Sequence, residues 1–237
     1  MRNLKSISKM LQSLHSSLKK TVNCEPTTVN SYFYYIFCSL FILLICAVGQ
    51  SFAQNSYSVR WVDDGDTIVL MDGRRVRYIG INAPEIDHKG KKTEPFGYSA
   101  KNYNKNIVLS KKVSLEFDKE KHDQYGRLLA YVFLEDGTFV NKVMIKQGYA
   151  YCLYRNPNKR YNKKLLRAQR DAMTAKKGIW KNWKEEKNRY LGNKRSKRFH
   201  LETCTFGKRT GLKNRIFFSS KWDAFWEGFA PCKRCVE

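Results

Sequence analysis

The stretch VDDGDTIVLMDGRRVRYIGINAPE, residues 62–85, restricts the fold more than any other part of the chain. Thr67 to Met71 and Arg75 to Ile81 are two β-rich runs, and the Asp72-Gly73 pair between them is a strong signal for a two-residue hairpin turn. Counting outward from that turn predicts that Met71 faces Arg74, Val69 faces Val76, Ile68 faces Arg77 and Asp66 faces Ile79. Side chains alternate along a strand, so Asp66 and Arg77 share a face on a diagonal of roughly 7–8 Å. That is too far for a tight ion pair but suits two groups flanking a third, charged object. Pro84 ends the second strand, because it cannot donate to a ladder. It leaves Asn82 and Glu85 on a turn beside the same end. Taken alone, acidic residues near a strand end are more often turn formers or solvated charges, so the rest of the chain must decide.

The chain has 237 residues and a formal charge of +24, with 45 basic against 21 acidic residues. A field of that sign favours polyanions, nucleic acid before anionic membrane. Aromatic residues at 14% argue against a disordered basic tail. Arg2, Lys5, Lys9, Lys19 and Lys20 precede an apolar run from Tyr32 to Gly49, and Ser51-Phe52-Ala53 follows it. This is the pattern of a secretory signal peptide over residues 1–53, cleaved after Ala53. A retained membrane anchor is the alternative, since the run is just long enough to span a bilayer. Either way the remainder is expected outside the cytoplasm, still strongly basic and without Cys24, Cys38 and Cys46.

Residues 55–183 read as one domain. Tyr57 to Val62 alternates as a first strand, Lys112 to Asp118 alternates as a later one, and Leu128 to Leu134 is a buried strand. Tyr98–Leu109 and Asn141–Gln147 have helical spacing, and residues 161–177 form the clearest helix, ended by Gly178. Trp180 and Trp183 are expected to pack back on the body. Five short strands with a helix after the third predict an α+β, mainly β fold: a five-stranded Greek-key barrel of the OB type with about three helices. Asp123-Gln124-Tyr125-Gly126-Arg127 is a turn before the buried strand, so Arg127 is presented at a strand mouth. A guanidinium there can grip phosphate oxygens bidentately, or pair with a nearby Asp as any surface arginine does.

The stretches VDDGDT, RVRYIGINAPE, FD, DQYGRLLAY and VNKVMIKQGYA, in that order, resemble the staphylococcal nuclease (thermonuclease) family over about residues 57–183. The resemblance implies an OB barrel that hydrolyses DNA and RNA phosphodiesters with Ca²⁺ and leaves 3′-phosphate products. Position by position it implies Ca²⁺ binding by Asp66, by Asn82 in place of a second aspartate, and by the backbone carbonyl of Ala83. Glu85 matches the glutamate that activates water, and Arg77 and Arg127 match the phosphate-binding arginines. Tyr125, with Gln124 beside it, falls at the substrate, and Asp64 falls just outside the metal. The chemistry fits independently. A hard cation with oxygen ligands screens phosphate, fixed cations stabilise the charge that develops, and a carboxylate can deprotonate water. Asn82 keeps an oxygen but removes a charge, which lowers the expected calcium affinity.

Residues 184–198 read as a charged linker before a tail at 199–237. The tail carries His200-x3-Cys204, then 27 residues, then Cys232-x2-Cys235. Four soft ligands in two close pairs predict a structural Zn²⁺ site, with a disulfide as the alternative for an exported chain. The tail also resembles the Ada-type metal-binding domain, with His200 in place of one cysteine, which implies contact with a DNA backbone. Lys208, Arg209, Lys213 and Arg215 suit such docking or simple solvation. Cys152 is expected as a small core residue. The predicted whole is an exported, monomeric nuclease acting on DNA or RNA, needing no protein partner and touching membrane only if the N-terminal segment is retained. The competing reading is an OB barrel that binds nucleic acid without cutting it.

Overall fold

The computed structural model describes residues 9, 12, 13, 35–38, 56–86, 93–186 and 188–236. Most of the expected signal segment lies outside the described residues. Among those described, no helix is long and apolar enough to cross a membrane.

Strands β1 (Ser56–Asp64), β2 (Thr67–Leu70) and β3 (Arg75–Tyr78) are followed by a short β4 (Ile81–Asn82) and helix α1 (Gly97–Val108). Then come β5 (Lys112–Glu116) and β6 (Leu128–Leu134). The five long strands close a barrel in the order β1-β2-β3-β6-β5, all antiparallel except β3 with β6. This is the expected OB-type barrel. Helix α2 (Val140–Lys146), β7 (Tyr151–Cys152) and helix α3 (Asn162–Thr174) complete the body, with β7 paired to β4. The apolar faces of the strands meet inside, with Ile68, Val76, Val113 and Val132 fully buried, and Met144 of α2 packs onto them, also fully buried. Cys152 joins that core.

The hairpin register differs from the count by one residue. Thr67 pairs Arg77, Ile68 pairs Val76 and Val69 pairs Arg75. The loop is three residues, Met71-Asp72-Gly73, closed by Leu70 N–H to the Arg74 carbonyl at 2.9 Å. Gly73 takes a φ of +85°, open only to glycine without strain, and Asp72 Oδ1 accepts the Arg74 N–H. A type I turn closed by a left-handed residue uses the same Asp-Gly pair as a two-residue turn. The slip follows from that choice.

The tail is not a separate body behind a linker. The stretch expected as linker contains β8 (Tyr190–Asn193), whose Tyr190 is fully buried. With β9 (Arg198–Leu201), β10 (Arg215–Phe218) and β11 (Ala230–Pro231) it forms a four-stranded sheet, ordered β10-β8-β9-β11. Short helices α4 (Thr205–Lys208) and α5 (Lys221–Trp226) flank it. Residues 54–237 form one compact unit. Ala172 and Met173 of α3 share a core with Trp180, Phe199, Phe225 and Phe229. Gln169, also on α3, accepts from Cys152 N–H and donates to the Phe225 carbonyl, and Arg170 Nε donates to the Trp226 carbonyl at 2.9 Å.

Trp180 is the centre of this junction, with ring centroids 5.1 Å from Phe225, 5.4 Å from Trp183 and 6.0 Å from Trp222. Trp180→Ala should therefore cost about 3–5 kcal/mol in urea unfolding. A cost below about 1 kcal/mol would mean that the tail does not share its core with the barrel.

Candidate active site

The β1–β2 turn sets the first two carboxylates. Gly65 lies between Asp64 and Asp66, where a Cβ would come within 2.5 Å of the Ala83 Cβ and 2.7 Å of the Ala100 Cβ. Only glycine lets the turn sit so close to α1 and to the residues after β4. Asp64 Oδ1 accepts the Asp66 N–H at 2.9 Å, and Asn104 of α1 donates to the Asp64 carbonyl. Asp66 is buried, accepting from Ala83 N–H at 2.6 Å and from Thr67 Oγ1 at 3.2 Å. Burial pushes its carboxyl well above the usual range, although Arg77 pulls the other way.

Arg77 contacts Asp66 Oδ2 directly at 2.9 Å. The expected open diagonal is therefore closed. Asp66 lies in the turn, before β2 begins, so its side chain is free of the alternation that the diagonal assumed. The guanidinium also donates to the Tyr78 and Ile81 carbonyls and to Asn82 Oδ1 at 3.0 Å. Asn82 in turn donates through Nδ2 to the Tyr151 hydroxyl and to the Ala83 carbonyl. Asn82 thus organises this corner, with Oδ1 held by Arg77 and Nδ2 by Tyr151 and Ala83.

Arg127 enters from the turn before β6. Asp123 accepts its Nε at 2.7 Å and its backbone N–H at 3.0 Å, together with the Tyr125 N–H. Burial raises the Asp123 carboxyl, but these donors outweigh it and hold the group below its usual value. Tyr125 is exposed, with the Arg127 guanidinium 5.6 Å from its ring centroid. Glu85, just past β4, is exposed and ion-paired with Lys233 at 3.0 Å.

Asp64, Asp66, Arg77, Asn82, Glu85, Tyr125 and Arg127 line one cleft of about 590 Å³. Ala83 is buried and does not line the cleft; its N–H donates to Asp66 and its carbonyl accepts from Asn82 Nδ2. Gln124 is exposed on the Asp123–Arg127 turn and does not line the cleft. The oxygen groups that line the cleft are three carboxylates, of Asp64, Asp66 and Glu85, and the amide of Asn82, whose Oδ1 accepts from Arg77. Such a set fits a hard cation such as Ca²⁺. The cleft also contains Arg155, Arg198 and Lys233, which sequence reasoning missed. Lys233 was visible only as the Lys-Arg pair inside Cys-x2-Cys, and nothing local says that β11 carries it to Glu85.

A second cluster lies in the tail. One ligand atom each from His200, Cys204, Cys232 and Cys235 falls within 4.8 Å of the others, and the cysteines are free thiols. Burial, then the Arg198 charge, lowers His200 toward the neutral imidazole that a metal requires. Cys204 is lowered despite burial, by backbone N–H groups of Gly207 and Phe206 and by its neighbouring thiols. Cys235 is pushed up to about 12, mainly by burial. Compact N and S donors fit a tetrahedral zinc ion.

A family model described as staphylococcal nuclease homologue matches residues 75–182. The thermonuclease of Staphylococcus hyicus is 38% identical over 132 residues, covering 54% of this chain and 78% of the relative. That of Staphylococcus intermedius is 40% identical over 129 residues, 53% and 76% respectively. The chain belongs to the staphylococcal nuclease family. Endonuclease YncB of Bacillus subtilis (strain 168) is 39% identical over 122 residues, 49% of this chain and 57% of that protein. The chain is a nuclease, a hydrolase of nucleic-acid phosphodiesters.

Within this nuclease, Asp123 anchors the Arg127 guanidinium and the backbone of the turn that carries Tyr125 and Arg127. Asp123→Ala should lower kcat on single-stranded DNA by about a hundredfold, the usual effect of misplacing a reacting group by an ångström. Asp123→Asn, which keeps an acceptor, should lose less. Equal, near-native rates for both would show that Arg127 does not depend on this anchor.

Proposed function

We propose that this protein is an exported, Ca²⁺-dependent nuclease that cleaves DNA or RNA to 3′-phosphate products. The observation that carries the reading is the convergence of Arg77, Arg127, Asp66 and Glu85 on one cleft. Asp66, Asn82 and the Ala83 carbonyl would hold the ion, with Asp64 beside them. When bound, calcium would supply Lewis-acid screening of the phosphate.

Arg77 and Arg127 hold the non-bridging oxygens and neutralise the charge added as water attacks phosphorus. Arg77 is pre-aimed by the Tyr78 and Ile81 carbonyls, and Arg127 by Asp123. Glu85 takes the proton of the attacking water as the new P–O bond forms. The bond to the 5′ oxygen breaks, and that oxygen leaves with a proton from solvent, so the phosphate stays on the 3′ side. The Glu85–Lys233 pair is half-exposed on both sides and worth about 0–1 kcal/mol, so it does not prevent Glu85 from turning to water.

Plasmid degradation tests the reading. Full activity is expected with calcium and none after EGTA. Glu85→Gln should fall by about 10²–10⁴-fold in kcat while still shifting DNA in a gel. Full-rate cleavage in EGTA would remove the calcium assignment, and full-rate cleavage by Glu85→Gln would remove Glu85 from its role.

Residues 1–53 are read as the export signal, and residues 199–237, with β8, as a zinc-stapled module. The donor set of His200, Cys204, Cys232 and Cys235 supports the zinc. Metal analysis of the full chain should find about one zinc ion. Cys204→Ser should lose it and lower the melting temperature. A metal-free protein that instead lacks free thiols would make the tail a disulfide module.

A further inference from the structure

We propose that the C-terminal sheet lengthens the substrate path: a groove beside the active-site cleft holds the sugar-phosphate backbone of a single-stranded segment running away from the scissile phosphate. This deepens the nuclease reading above and rests on it for the direction of the strand.

The groove, about 1030 Å³, is larger than the catalytic cleft. The barrel side contributes Arg155 and Lys163 to one wall. The β8–β9 turn contributes Lys194, Arg195, Lys197 and Arg198 to the other. Glu227 is the one carboxylate among its lining residues, and Arg170 pairs with it at 3.4 Å. The ion pairs among the described residues include none of the six cations. Six cations gathered around one concave space repel each other, and a polyanion relieves that cost. Leu153, Arg155 and Arg198 line both the groove and the catalytic cleft, so the two spaces adjoin.

The turn is built to hold its charges in place. Asn193 Oδ1 accepts the Arg195 and Ser196 N–H groups at 2.9 and 3.2 Å, and Lys194 N–H donates to the Asn214 carbonyl. Lys197 sits at a φ of +53°, with its ammonium 4.2 Å from the Phe229 ring centroid. Arg198 donates to the Pro231 carbonyl at 2.8 Å. A mononucleotide would fill the cleft and leave this groove empty, whereas a chain of phosphates satisfies both. A basic groove that tracks the backbone is the footprint of sequence-tolerant strand binding.

The test uses the full chain and the triple variant Lys194→Gln/Arg195→Gln/Lys197→Gln, which leaves the shared Arg155 and Arg198 intact. Substrates are a dinucleoside monophosphate and a single-stranded oligonucleotide of about 16 nucleotides. Cleavage and fluorescence-anisotropy binding of the oligonucleotide are followed between about 50 and 200 mM salt. Dinucleotide cleavage should be unchanged. Oligonucleotide binding should weaken, and the slope of log Kd against log salt should flatten by about 2, since each single-strand phosphate contact contributes about 0.7. The charge-preserving variant Lys194→Arg/Arg195→Lys/Lys197→Arg should restore the slope. An unchanged slope in the triple variant overturns the proposal. The anisotropy slope decides this even if the wild type cuts neither substrate, an outcome that would instead defeat the catalytic reading.

Discussion

Asp66 is a buried carboxylate, and most of the site follows from how its burial is compensated. Removing an ion from water costs several kcal/mol even after relaxation. The chain answers with Arg77 at 2.9 Å, the Ala83 N–H at 2.6 Å and the Thr67 hydroxyl. Those three groups come from β3, from the segment after β4 and from β2. Satisfying one carboxylate therefore pins three segments at one corner of the barrel. Gly65 is what lets the corner close, because any side chain there would strike Ala83 and Ala100. The same bonds fix the Arg77 guanidinium at this corner, held by Asp66, Asn82 and the Tyr78 and Ile81 carbonyls.

The tail depends on a different compensation. Its four strands are short and its own apolar core is small. It gains stability by placing Phe199, Phe225 and Phe229 in one core with Ala172 and Met173 of α3, and a metal ion held by His200 and the three thiols would add to that. The cluster adjoins the cleft: Arg198 lies two residues before His200, and Lys233 directly follows Cys232. Cys232 N–H donates to the Phe199 carbonyl, so the Cys-x2-Cys turn is tied to β9. Lys233, the next residue, reaches Glu85 from that anchored point.

Local pattern carried the barrel well, because alternation and buried runs depend on neighbours in sequence. Leu128–Leu134 and the helix of residues 162–174 needed nothing else. The hairpin register was less legible. Asp72-Gly73 satisfies either of two loop lengths, and a one-residue difference moves every partner. The Asp66–Arg77 contact was hidden for a related reason: Asp66 belongs to a turn, where strand geometry does not apply. The stretch 184–198 looked like a linker because its charges dominate its composition. Its strand has only four residues, and Tyr190 is buried by partners on β9 and β10 that no local window contains. The candidate residues between Asp64 and Arg127 were readable because one hairpin and one turn carry them. Arg155, Arg198 and Lys233 were not, since only tertiary packing brings them to the cleft.

That late-arriving charge bears on Asn82. Replacing a second aspartate by an amide leaves Asp64, Asp66 and Glu85 as the carboxylates of the cleft, against Arg75, Arg77, Arg127, Arg155, Arg198 and Lys233. Coulomb attraction for phosphate therefore does not wait for the ion, whereas the hold on the ion is weakened by both the lost charge and the added cations. In a site balanced this way, a bound phosphodiester would supply part of the negative charge that the cation needs. Ion and substrate would each raise the affinity for the other, as linkage between two bound ligands requires. The amide also does something a carboxylate could not. Asn82 Nδ2 donates to the Tyr151 hydroxyl and to the Ala83 carbonyl, which ties β4 to β7 and holds the peptide that presents its N–H to Asp66. If the proposed ion binds here, the amide exchanges a tighter grip on it for a firmer frame around the carboxylate on which the corner depends.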